Sequence, residues 1–241
     1  MSVHAAHPSD NHLLSALPPE EFARLLPHLT VMQLPIRTVL HEADAPFAFV
    51  YFPLTAVGSV TALMADGAMV EVGTIGREGM TGLPAFFGAA TSPLPTFIQV
   101  AGAVVRLPIT AFSAAAAPGT ALHALLLRFA QAYYSMAAQS AACNRLHPVE
   151  ERCARWLLLT HDRVRLDTFP LSHEFLGYML GVRRPSVTIA MGTLQRAGLL
   201  TYHRGIVTLT DRAALEAASC ECYAAIVKAF AALPQPADHA R

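Results

Sequence analysis

No cysteine occurs before Cys143, and the four in the chain (Cys143, Cys153, Cys220, Cys222) have neither the spacing of a disulfide framework nor that of a zinc finger. A reducing compartment is expected. Histidine is missing between His41 and His123, which removes the ligands a metal-dependent β-barrel enzyme would project into its barrel. The first residues, MSVHAAHPSDNH, have no basic stretch followed by an apolar one, so secretion is not expected and a cytoplasmic protein is. Charge is absent from Leu107 to Leu127, but Pro108, Pro118, Gly119 and His123 interrupt that run and argue against a membrane span. No catalytic residue, metal or cofactor is expected, and Cys220-Glu221-Cys222 alone reads as ordinary helix packing.

What is present is unevenly charged. At 241 residues the chain is long enough for two domains, and its formal net charge is zero. From Arg145 to Arg212 there are ten arginines and no lysine against six acids, a net +4; from Met1 to Asn144 there are five arginines against eight acids, a net −3. Positive charge gathered in one half is the arrangement that phosphate binding requires.

The densest motif lies in that half, at Ser172 to Leu209 (SHEFLGYMLGVRRPSVTIAMGTLQRAGLLTYHRGIVTL). Ser172 is placed to cap a short helix carrying Leu176 and Leu180 on one face, and Gly181 supplies the sharp turn. Pro185 suits the first turn of a second helix, in which Val187, Ala190 and Leu194 form a buried stripe that Gly198 ends. Gly177 and Ala190 are small enough for two helices to cross closely. Arg183, Arg184, Ser186, Thr188, Ile189 and Gln195 then face outward, where arginine can bond guanine and hydroxyls can reach phosphates. Two β-prone runs, Leu199–Tyr202 and Ile206–Leu209, flank His203-Arg204-Gly205 and predict a hairpin wing with Arg204 near a phosphate. The whole segment predicts a winged helix-turn-helix and a double-stranded DNA partner.

Upstream, His12 to Leu29 has a helical pattern, and Val31 to Pro108 consists of short β-prone runs between Gly and Pro, which predicts a jelly-roll or β-roll with a hairpin turn at Asp66-Gly67. The expected organisation is α+β: a β-roll sensor domain with N-terminal helices over 1–117, a long dimerisation helix over 118–146, the winged-helix domain over 147–233 and a tail over 234–241. In the long helix Leu122, Leu126, Phe129, Tyr133, Met136, Ser140 and Cys143 recur at steps of four and three, a heptad seam that predicts a homodimer; packing of this stripe on the chain's own roll is the alternative. Trp156 reads as core.

This order of elements resembles the Crp/Fnr family of bacterial transcription regulators over nearly the whole chain. HPVEERCARWLL (His147 to Leu158), the helix-turn-helix segment and EVGTIGREGMTGLPAFFG (Glu71 to Gly88) carry the resemblance. It implies a roll that senses a signal and a dimer that reads a palindromic operator, as activator or repressor, with RNA polymerase a possible further partner. It places Arg184 as a base reader and Ser172, His173 and Ser186 at phosphate contacts. Pro185 and Ile189 stand where relatives with the best known operator carry a glutamate and a second arginine, so a different operator is expected.

The sensor half departs further. Nucleotide-binding relatives use a glutamate for the ribose and an arginine for the cyclic phosphate. Here the cassette containing Gly79, Gly82 and Leu83 puts Leu83 near the glutamate position and has no arginine between Arg77 and Arg106. A buried phosphate without a cation is costly, so cyclic AMP in the usual mode is not expected and the effector stays unknown. The N-terminal cysteines of iron–sulfur relatives are missing, and His4, His7 and His12 read as part of a tail. A rival reading is a protein-interaction module that retains a winged helix without binding an operator. For a regulator, a signal at the roll or the dimer seam is expected to change the angle between the two DNA-binding domains.

Overall fold

The computed structural model describes residues 6–234; His4 and the expected tail from residue 235 on lie outside them. The chain divides into two compact units, one of residues up to Ser59, Ile75–Tyr134 and from Phe230 on, the other of Val60–Thr74 and Ser135–Ala229. The division falls inside the long helix and assigns the outer part of a β-hairpin to the second unit, where the sequence placed boundaries at 117 and 146.

In the first unit the N-terminal helical region is broken by its prolines into α1 (His12–Ser15), α2 (Pro19–Leu25) and a 3-10 turn at Leu26–His28. His7 and His12 do not belong to a loose tail. His7 caps a turn with Asp10, and His12 is buried, its backbone N–H donating to the Arg77 carbonyl at 2.8 Å. Asn11 is fully buried and donates to the carbonyls of Pro53 and Gly79, each at 2.9 Å, so the lead-in is pinned to the roll.

The β-prone runs become β1 (Thr30–Leu34), β2 (Val39–His41), β3 (Phe49–Pro53), β4 (Val57–Leu63) and β5 (Met69–Ile75), then the short α3 (Leu83–Phe86), β6 (Thr96–Val100), β7 (Gly102–Pro108) and α4 (Ile109–Ala115). They form two sheets, ordered β1-β7-β3 and β2-β6-β4-β5. Ile98 of one sheet and Val104 of the other meet with Ala56 in a common core, the double-sheet packing of a β-roll. The Asp66-Gly67 turn forms as the sequence predicts, with Gly67 at φ 83° and Met64 N–H donating to the Ala68 carbonyl at 2.8 Å.

The long helix is α5 (Ala121–Leu146), 26 residues whose first N–H groups, of Ala121 and Leu122, are taken up by the Glu21 carboxylate. The heptad seam expected of it is corrected here. Leu122, Leu126, Phe129, Met136, Ser140 and Cys143 are buried inside the single chain, and Tyr133 is half-buried. Phe129 packs so closely on Gly79 that a Cβ there would lie 2.2 Å from its ring. The stripe therefore faces its own fold. Exposed instead are Leu127, Gln131, Tyr134, Ala138, Ala141 and Arg145, again at steps of four and three, with Leu127 52% and Tyr134 70% exposed.

The second unit continues with α6 (Val149–Val164), β8 (Thr168–Pro170), α7 (His173–Leu180), α8 (Arg184–Arg196), β9 (Leu200–His203), β10 (Ile206–Leu209), α9 (Arg212–Ala217) and α10 (Cys222–Ala231). Strands β8, β10 and β9 form one antiparallel sheet, so the wing has a third strand that the sequence did not predict. Trp156 is buried and its indole N–H donates to Glu71 at 2.9 Å. No described helix is long and apolar enough to cross a membrane.

Candidate nucleic-acid interface

The two crossing helices are built as their sequence requires. Ser172 Oγ accepts the Phe175 N–H at 3.1 Å and opens α7, while Gly181 closes it at φ 61°. The Val182 N–H donates to the Gly177 carbonyl at 2.9 Å, tightening the turn. A Cβ on Gly177 would lie 2.9 Å from the Val182 carbonyl oxygen, so only glycine fits there without a shift. On α8 the stripe Val187, Ala190, Met191 and Leu194 is buried to 4% exposure or less.

The opposite face of α8 is open. Arg183 and Arg184 stand at its first turn, Ile189 is 63% exposed, and Ser186 is half-buried. The N-terminus of a helix carries unpaired N–H groups and positive dipole, so two guanidinium groups there concentrate attraction for phosphate. At the wing tip Arg204 and Gly205 both take positive φ, 47° and 81°, the two-residue turn that matches the twist of antiparallel strands and leaves the Arg204 side chain exposed.

Three candidate readers are engaged elsewhere on the surface. Gln195 is held at the wing instead: its side-chain amide oxygen Oε1 accepts the Tyr202 N–H at 2.9 Å, so it fastens the wing to α8. The Thr188 hydroxyl donates to the Arg184 carbonyl at 3.1 Å and lies 3.0 Å from His173 Nδ1. His173 stacks on Tyr202 at 4.3 Å between ring centres. Its pKa is pushed down by burial and by the neighbouring Arg184. These contacts join α7, α8 and the wing; Arg183, Arg184, Ile189 and Arg204 are exposed, Ser186 is half-buried, and the exposed Ser172 is engaged as the α7 cap.

The arginine excess of this half is only partly exposed. Arg152, Arg155 and Arg163 are buried, with Arg152 donating to the Leu180 carbonyl and Arg163 to the Leu159 carbonyl. Arg212 is paired with Asp162 at 2.6 Å and Glu216 at 2.9 Å and bonds the Tyr223 hydroxyl at 2.7 Å. The exposed positive charge is thus narrower than the sequence count and includes Arg183, Arg184 and Arg204.

In the cassette Leu83 is buried and Gly82 takes φ 83°, where a Cβ would lie 3.2 Å from His41 Nε2. His41 is buried against Phe47 and Tyr51 and bonds Thr81 Oγ1 at 2.9 Å. Burial pushes its pKa down to about 4, so it is neutral at physiological pH and supplies no cation to a phosphate. The Glu78 carboxylate accepts the Gly76 N–H at 3.0 Å, a turn contact.

The sequence reading missed one cluster: Cys143, His147, Cys220 and Cys222 converge, with Cys143 and Cys220 Sγ atoms 3.5 Å apart. The CxC was visible in the chain, but its two partners lie more than seventy residues earlier.

Residues 151–218 match the family model of the Crp-like helix-turn-helix domain. No curated protein matches the chain. Among solved structures, FixK2 from Bradyrhizobium japonicum is 19% identical, with TM-score 0.67 over 80% of this chain and 98% of that one. A CRP-family transcriptional regulator from Thermus thermophilus is 20% identical, with TM-score 0.64 over 86% of this chain and 100% of that one. The c-di-GMP responsive global regulator CLP of Xanthomonas campestris is 18% identical, with TM-score 0.61 over 80% and 99%. The chain therefore has the fold of the Crp/Fnr transcription regulators and carries a Crp-like helix-turn-helix domain within it.

Proposed function

We propose that this protein is a sequence-specific DNA-binding transcription regulator that reads a palindromic operator as a homodimer and is not controlled by cyclic AMP in the usual mode. The observation that carries the proposal is the first turn of α8, where Arg183 and Arg184 stand exposed on a helix whose other face is fully buried. Such a helix fits the major groove, with an arginine reaching guanine and Ile189 offering apolar contact to a thymine methyl group. Arg204 on the wing and Ser172 at the α7 cap meet the flanking phosphates.

The exposed stripe Leu127, Tyr134, Ala138 and Ala141 is the surface for the second copy, replacing the buried stripe of the sequence reading. Two-fold pairing along α5 would present two recognition helices to successive major grooves. Independence from cyclic AMP rests on the cassette, which has no cationic side chain from Gly79 to Val105 and a neutral His41 beside it. Fluorescence anisotropy on a labelled operator tests the reading: Arg183→Ala/Arg184→Ala should abolish specific binding while leaving the dimer intact. Unchanged duplex binding in this variant would refute it. Retained binding to a protein partner, with no duplex binding by the parent chain, would favour an interaction module.

A further inference from the structure

We infer that Cys143, His147, Cys220 and Cys222 form a closed four-ligand site for a zinc ion, three thiolates and the Nδ1 atom of His147. The four ligand atoms all lie within 4.8 Å of one another. Cys143 Sγ is 3.5 Å from Cys220 Sγ, and Cys222 Sγ is 3.5 Å from His147 Nδ1. A tetrahedral ion with zinc–sulfur bonds of about 2.3 Å and zinc–nitrogen bonds of about 2.0 Å would hold neighbouring ligands about 3.5–3.8 Å apart. The donors converge on one point too tightly to serve separate irons of a cluster. Thiolate with imidazole selects zinc over magnesium or calcium.

The surroundings are those of a ligand site. The other ring nitrogen of His147, Nε2, lies 3.3 Å from Glu221 Oε1, the carboxylate partner that would fix the tautomer leaving Nδ1 free to coordinate. The Gln139 amide donates to Cys222 Sγ at 3.0 Å. Three thiolates around a divalent ion carry one net negative charge, so the ion offsets most of the charge that the three buried ligands bring. All three cysteines are buried, and four protein ligands leave no position for water or substrate, so the ion is structural. It joins the end of α5 and the start of the α5–α6 connection to the α9–α10 turn and α10, closing a loop of 77 residues that contains the whole helix-turn-helix.

Cobalt(II) titration of the reduced, tag-free full chain tests this without any duplex present. One equivalent should bind with the thiolate-to-cobalt charge-transfer and tetrahedral visible bands, and one equivalent of zinc(II) should displace it. Cys222→Ser should lower the charge-transfer intensity and weaken cobalt binding, since one of the three thiolates is lost, and Cys153→Ser, outside the cluster, should leave both unchanged. Should Cys222→Ser fail to fold, Glu221→Gln at an exposed position still decides, with an expected affinity loss of about tenfold or more. Three results would overturn the site: no charge-transfer band, a band and affinity unchanged by Cys222→Ser, or a reduced protein that binds no metal and whose Cys143 and Cys220 simply pair as a disulfide on mild oxidation.

Discussion

At the scale of single residues, direct and indirect roles on the proposed DNA face give different signatures. Arg184→Ala should cost about 1–3 kcal/mol at a preferred site and relax preference at one base pair, while Arg204→Ala should weaken binding to all duplexes alike and lower the salt slope by about 1. Binding isotherms on cognate and scrambled duplexes at several salt concentrations separate the two. Gly177→Ala should destabilise the fold by about 1–3 kcal/mol in chemical denaturation, because its Cβ would press on the Val182 carbonyl. That glycine was legible in the chain, since a small residue was needed where two helices cross. Gln195 was not: it sits on the outward side of α8 by periodicity, and only the backbone of the wing shows that its side-chain amide oxygen is taken by the Tyr202 N–H. His41 adds a pH dependence to stability. Its pKa is 6.5 when exposed and about 4 when folded, so between these values the unfolded chain binds a proton that the folded chain does not. Stability should therefore fall as pH drops from about 6.5 to about 4, by up to about 3 kcal/mol, and His41→Gln should flatten that slope in denaturation curves taken across the range.

At the scale of elements, α5 shows what a periodic pattern leaves open. Its residues carry two stripes at heptad spacing, one running through Leu122 and Phe129 and the other through Leu127 and Tyr134. Spacing identifies both, but only the roll's packing decides which one the chain keeps for itself. The more apolar stripe was buried internally, since that burial stabilises the single chain, and the mixed stripe remained outside. Leu127→Glu/Tyr134→Glu should accordingly convert a dimer to a folded monomer in sedimentation, whereas Leu126→Glu should unfold the chain. A folded dimer carrying both changes on the outer stripe would show that the two copies meet elsewhere. Strand β8 was illegible for a different reason: Thr168–Pro170 is three residues long and has no alternation of its own, so it becomes a strand only because β10 offers it an edge.

For the whole molecule, order and class of elements were readable, from β-prone runs through a long helix to a helix-turn-helix. The charge distribution was readable only in part. A count of arginines assigns the second half a broad positive field, yet burial of Arg152, Arg155 and Arg163 and the pairing of Arg212 narrow the exposed charge. The thiol and imidazole cluster was unreadable, because its members come from both ends of that half, with separations of 77 and 75 residues that no short motif spans. What the remaining exposed charge binds decides the function. The most direct test of the proposed function is selection of bound fragments from a duplex library by the purified protein, with and without cyclic AMP. A palindromic site enriched equally in both conditions is the expected result. Enrichment only with cyclic AMP would contradict the reading of the cassette, and no enrichment in either would contradict the assignment of α8 as a DNA-reading helix.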